Sequence, residues 1–69
     1  MSNLPERMLA LRKEKKLTQE AASEQSGIVL RTYSRYEKGE REPTVSIAWK
    51  LADFYNVSID YLVGRTDIK

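Results

Sequence analysis

Apolar residues recur along this chain every three or four positions, the spacing of helices with one buried face. Leu4, Met8 and Leu11 form the first such stripe. It predicts a helix running to about Lys15, with Asn3 and Glu6 as a capping box and Pro5 tolerated in the first turn. Met1 to Asn3 read as a loose start. Thr18 is a suitable N-cap for a second helix over Gln19 to Ser26, because its hydroxyl can accept from a free backbone amide in the next turn. Ala21 and Ala22 face inward there, and Gly27 stands where that helix must stop in a left-handed conformation. A third helix follows over about Leu30 to Lys38 and ends at Gly39. Pro43 cannot continue a helix, and Thr44 caps a fourth from Val45 to about Tyr55. Its inner stripe is Val45, Ala48, Leu51, Ala52 and Tyr55, with Trp49 on the flank. Trp49, Phe54 and Tyr55 are expected in or near the core. Asn56 stops that helix, Ser58 caps a short fifth one through Val63, and Ile59 and Leu62 pack inward. Gly64 ends it, and Arg65 to Lys69 read as a frayed tail.

The third helix has two unlike faces. Advancing about 100° per residue from Tyr33 keeps Tyr36 and Glu37 on the buried side. Arg31, Arg35 and Lys38 swing to the opposite side, with Ser34 at their edge. Three cations and a hydroxyl on about three turns suit the major groove of DNA, which admits a single helix. Taken alone, such a face is more often an ordinary solvated one. The preceding helix and the glycine turn shift that balance.

The pattern resembles the Cro/repressor-type helix-turn-helix family, also called lambda-repressor-like or XRE. The resemblance rests on Leu17-Thr18-Gln19-Glu20, Gly27, Thr32, Ser34-Arg35-Tyr36-Glu37, Gly39, Pro43 and Val57-Ser58-Ile59-Asp60-Tyr61-Leu62. Their order and spacing cover about Leu4 to Gly64. The resemblance implies one all-α, five-helix DNA-binding domain over residues 1–69, with the helix-turn-helix at about 18–38. It also implies that Arg12, beside the first stripe, pairs with Glu37 and ties the first helix to the recognition helix. Base readout falls to Arg31 and Arg35, whose guanidinium groups can bond two guanine acceptors at once. Ser34, Leu30 and Thr32 are further base candidates. Phosphate contact falls to Gln19 at the amino end of the second helix, with Thr18 beside it and Lys38, Arg41 and Thr44 as helpers.

Several positions depart from the family pattern. Lys16 replaces a common glycine and implies either a strained turn or a different helix end. Leu9 lies on a face that is usually polar. Ala22 and Ser26 stand where leucine is usual, so Tyr33, in place of isoleucine or valine, and Trp49 are expected to fill the space. The turn buries Ile28, but Val29 has no oxygen to cap the third helix, an omission that typically costs about 1 kcal/mol. Leu30 has two even readings, contact with a thymine methyl or packing against the protein.

The charge distribution supports a nucleic-acid footprint without deciding it. Residues 1–41 hold nine Lys/Arg against six Asp/Glu, and residues 42–69 hold three against four. There is no cysteine or histidine, which removes the disulfide framework, the thiolate and imidazole metal ligands and the usual general base. An enzyme, a metal site, a cofactor, a small-molecule ligand and a membrane partner are therefore not expected. A cytoplasmic place is the default reading, since the sequence shows no signal peptide and its apolar runs are short. One domain this small reads few base pairs, so the expected partner is duplex DNA with inverted half-sites, bound by a homodimer at least on DNA. The family places its dimer surface near the fourth and fifth helices, where Phe54, Asn56, Tyr61 and Val63 are candidates. The rival reading is a protein-interaction module such as an antitoxin, which an acidic or apolar third helix would favour. The chain reads either as a minimal Cro-like regulator or as the head of a longer repressor.

Overall fold

The computed structural model describes residues 3–69, so Met1 and Ser2 of the loose start expected over Met1 to Asn3 lie outside the described residues, and Asn3 is not loose, because its amide is held by the Val63 carbonyl. Five helices follow in order: α1 (Leu4–Glu14), α2 (Gln19–Ser26), α3 (Leu30–Lys38), α4 (Val45–Tyr55) and α5 (Ile59–Leu62). The predicted caps form where local chemistry places them. Thr18, Thr44 and Ser58 each accept from a backbone amide three residues on, in Ala21, Ile47 and Tyr61. Gly27, Gly39 and Asn56 take the left-handed conformation at the ends of α2, α3 and α4.

α1 packs on α3 and α5, α2 on α3 and α4, and α4 on α5. The shared core holds Leu4, Met8 and Leu11 of α1, Ala22 of α2, Ile28 of the turn, Tyr33 and Tyr36 of α3, Leu51, Ala52 and Tyr55 of α4, and Leu62 of α5. Tyr33 is completely buried in the core it shares with Ala22 of α2. Its hydroxyl is hydrogen bonded to that of Tyr55 on α4. Burial and that partner push the Tyr33 hydroxyl well above the ordinary tyrosine value, so it stays protonated. The buried serines of α2 are satisfied too: Ser23 donates to the Ile28 carbonyl and Ser26 to that of Ser23.

Four expectations are corrected. Trp49 is 61% exposed and does not fill the core. Tyr33 is the aromatic that is buried, reaching Tyr55 of α4 from the α3 side, while the flanking indole lies outside. Val45, in the first turn of α4, is also exposed rather than part of the inner stripe. The capping box at α1 does not form, because the Asn3 side chain makes no cap hydrogen bond. Instead the Asn3 amide donates to the Val63 carbonyl at 3.1 Å, and its side chain lies against Gly64. A Cβ on Gly64 would come within 2.7 Å of the Asn3 Cβ, and its φ of +84° strains any other residue. Finally, the tail is tied back rather than frayed. Arg7 donates to the Thr66 carbonyl and pairs with Asp67 at 2.9 Å, the Ser58 amide donates to the Lys69 carbonyl, and the Lys69 ammonium meets Glu14 at 3.1 Å.

Of the two readings of Lys16, the structure shows the strained turn. Its φ is +57°, and the Leu17 amide closes the end of α1 onto the Arg12 carbonyl at 3.1 Å. A side chain there opposes the left-handed backbone by about 1 kcal/mol or more, partly offset in glycine by a more flexible unfolded chain. Lys16→Gly is therefore expected to raise stability by about 0.5–1 kcal/mol, read as a higher urea midpoint at unchanged slope. An unchanged or lower midpoint contradicts the strain.

Candidate nucleic-acid interface

The turn between α2 and α3 is built from three local features. The amides of Gly27 and Ile28 both donate to the Ser23 carbonyl, at 3.0 and 3.1 Å, and close the end of α2. Gly27 takes φ +77°, which reverses the chain without steric cost. Ile28 then drops into the core while Val29 and Leu30 remain outside. As expected, Val29 offers no side-chain cap to the first amides of α3.

A polar network locks this unit to the rest of the fold. Arg12 Nε donates to Glu37 Oε2 at 2.7 Å and Nη2 to Oε1 at 3.2 Å, a two-pronged pair between α1 and α3. Arg12 Nη1 also donates to the Leu17 carbonyl at 2.9 Å, ahead of α2. The hydrogen bond it donates to Glu37 pushes the Arg12 guanidinium above its already high value, so it stays charged. Gln19 Nε2 completes the network by donating to Glu37 Oε1 at 3.1 Å. Sequence reasoning missed this last contact. It assigned Gln19 a single outward task, whereas the amide group has two hydrogens and one of them faces inward here.

The outward residues of α3 lie where the helical pattern places them. Arg31, Arg35 and Lys38 are exposed, Thr32 and Ser34 are half-buried at the edges, and Leu30 is partly exposed at the amino end. Among the described residues none of Arg31, Arg35, Lys38 and Arg41 joins a salt bridge. Thr18 and Thr44 use their oxygens as helix caps, which leaves each hydroxyl hydrogen free to donate to an anion. The α4–α5 candidates are less open. Phe54 packs edge-on to Tyr55 with the Lys15 ammonium above its ring, and Arg7 stacks over Tyr61 at 4.0 Å. Of the four, Asn56 is exposed, while Phe54, Tyr61 and Val63 are half-buried. Among the described residues no helix is long and apolar enough to cross a membrane.

This geometry matches proteins of known type. The HTH_3 family, described as helix-turn-helix, matches residues 8–62. An uncharacterized HTH-type transcriptional regulator, YobD of Bacillus subtilis, is 40% identical over 62 residues, covering 90% of this chain and 55% of that protein. The cryptic phage CTXphi transcriptional repressor RstR of Vibrio cholerae shows the same identity and coverage. The chain thus spans about half the length of these relatives. Among solved structures, the P22 c2 repressor in complex with a synthetic operator superposes with a TM-score of 0.83 at 30% identity, covering 91% of this chain and 96% of that one. A transcriptional regulator from Listeria innocua gives 0.82 at 31% identity, covering 93% of this chain and 60% of that one. With the α2–turn–α3 unit, the Arg12–Glu37 tie and the five-helix order all in place, the chain belongs to the HTH_3 helix-turn-helix family, of the lambda-repressor-like or XRE type.

Proposed function

We propose that this domain is a sequence-specific duplex-DNA-binding transcriptional regulator, acting as a repressor in the cytoplasm with α3 lying in the major groove. The observation that carries the reading is the outward face of α3. Arg31, Arg35 and Lys38 project from a helix whose other face is fixed by Tyr33, Tyr36 and the Arg12–Glu37 pair. A rigid helix with unpaired cations suits a groove bordered by phosphates; an acidic or apolar face would have suited a protein partner instead. Arg31 and Arg35 read guanines. Ser34 makes a further base contact, and Thr32 contacts a base or a phosphate. Gln19, Thr18, Lys38, Arg41 and Thr44 hold phosphates and set the register. A homodimer through the α4–α5 region, with Asn56, Phe54, Tyr61 and Val63 near its centre, places two such helices on inverted half-sites. No catalytic step is part of this role.

Selection of bound sequences from a random duplex pool at near-physiological salt tests the reading. The expected result is a motif with two inverted half-sites about one helical turn apart, with guanines inside each. Weak, salt-sensitive binding with no motif would overturn it. Gln19→Ala is expected to weaken binding to selected and random duplexes alike, by roughly 2- to 10-fold for one hydrogen bond. A loss confined to one sequence contradicts the phosphate role.

A further inference from the structure

Tyr33 and Tyr55 bury two hydroxyl groups in the core between α3 and α4. A buried hydroxyl costs free energy unless it is hydrogen bonded, and an apolar side chain would fill much the same space without that cost. Packing alone therefore does not account for the pair. The two hydroxyls bond to one another, so one gives its hydrogen and the other keeps a hydrogen to give elsewhere. The acceptor within reach is Glu37, which follows Tyr33 by four residues, one turn along the same face of α3. Burial is the main reason the Tyr33 hydroxyl holds its proton and the bond to Tyr55 is the second; a hydrogen bond to Glu37 and the charge of that carboxylate add to both. The carboxylate has room for this donor. Oε1 accepts from Arg12 Nη2 and Gln19 Nε2, and Oε2 accepts from Arg12 Nε, whereas a carboxylate offers about four acceptor sites. The tyrosines thus extend the Arg12–Glu37–Gln19 network to the last residue of α4.

We infer that Tyr33 and Tyr55 are positioning residues for the phosphate contact of Gln19, acting through Glu37. This rests on the reading that Gln19 holds a phosphate. Tyr55 gives its hydrogen to Tyr33, and Tyr33 gives its own to Glu37. The terminal torsion of a glutamate is soft, so a carboxylate keeps one orientation only where its donors fix it. A donor from the buried side steadies the carboxylate, and Oε1 then meets the Gln19 amide nitrogen in one geometry. That contact decides which way round the Gln19 amide sits. With its nitrogen on Glu37, one amide hydrogen is used and the second remains for an anion. The reversed amide would bring its carbonyl oxygen against the carboxylate and lose the bond. The hydroxyl pair therefore carries the rigidity of the α3–α4 core to a side chain on α2.

A double-mutant cycle on duplex binding tests this, with each variant measured well below its melting transition. Tyr33→Phe should weaken binding by about two- to fivefold, part of the Gln19→Ala loss, and equally on selected and random duplexes. In the Gln19→Ala background the same substitution should cost less than about 1.5-fold, because the side chain it positions is gone. The double variant Tyr33→Phe/Tyr55→Phe removes both hydroxyls and strands neither, so its melting curve should lie close to that of the wild type while the loss in binding remains. The side-chain amide resonances of Gln19 give a readout that needs no DNA. In the free protein they should shift in Tyr33→Phe and in the double variant, while those of Gln25, exposed on the same helix, stay in place. A Tyr33→Phe loss as large in the Gln19→Ala background as in the wild type would overturn the inference and make the hydroxyls structural only. Unmoved Gln19 resonances, or wild-type affinity in the double variant, would overturn it as well. Those results leave the DNA reading standing. If Gln19→Ala itself binds every duplex as the wild type does, the phosphate role fails and this inference falls with it.

Discussion

Glu37→Ala is expected to cost about 3–5 kcal/mol of folding stability, the typical penalty for breaking a buried ion pair. The Glu37 side chain is only 4% exposed and accepts from Arg12 Nε, Arg12 Nη2 and Gln19 Nε2. Removing it leaves the Arg12 guanidinium, itself largely covered, with the Leu17 carbonyl as its remaining partner. A domain of this size holds roughly 3–10 kcal/mol in all, so the variant should sit near its unfolding midpoint without denaturant. Arg12→Ala should cost a similar amount, because it strands the carboxylate instead. The double variant Arg12→Met/Glu37→Leu separates the worth of the pair from the damage of breaking it. Apolar replacement of a whole buried pair is often neutral or better, so the double variant should recover most of either single loss. Urea unfolding of the three variants measures this. Single losses below about 1 kcal/mol would show that the pair is not buried in solution. A double variant as unstable as the singles would show that the charges themselves hold α1 on α3.

What the sequence showed and what it hid divide along the range of the contacts. The caps at Thr18, Thr44 and Ser58 and the stops at Gly27, Gly39 and Asn56 depend on hydrogen bonds and torsions within a few residues, so the five helices were legible from residue types alone. The Arg12–Glu37 pair spans 25 positions and was legible only through the family resemblance. That Tyr33 would be buried and Trp49 exposed, where both were expected to fill the space left by Ala22 and Ser26, was not legible. Both are large aromatics bordering an apolar stripe, and only Tyr33 finds a hydroxyl partner, Tyr55, across the core. The closing of the tail was hidden for the same reason. Arg7 meets Thr66 and Asp67 across about sixty positions, and no periodicity records such a contact. Helical periodicity placed Arg31, Arg35 and Lys38 on the outward face of α3, but it carried no sign that Gln19 braces Glu37.

Arg35→Ala is expected to weaken binding to the selected duplex by about 1–3 kcal/mol, or roughly 5- to 150-fold, and to relax discrimination at one base pair. The side chain is exposed and joins no salt bridge among the described residues, so its loss should leave the urea midpoint nearly unchanged. That separates the DNA effect from unfolding, which the Glu37 and Arg12 variants cannot do. Arg35→Lys then separates charge from geometry. Lysine keeps the cation and its share of counterion release but loses the planar fork that meets two guanine acceptors at once. The lysine variant should therefore retain the salt dependence of binding while discriminating poorly against the other base pairs at the contacted position. Binding measured on the selected duplex, on its three variants at that position and on random duplex decides the role. A loss concentrated on the guanine-bearing duplex assigns Arg35 to base readout, and the direction of α3 in the groove follows from which base pair loses discrimination. Equal losses on selected and random DNA would instead make Arg35 a phosphate contact and leave readout to Arg31 and the amino end of the helix.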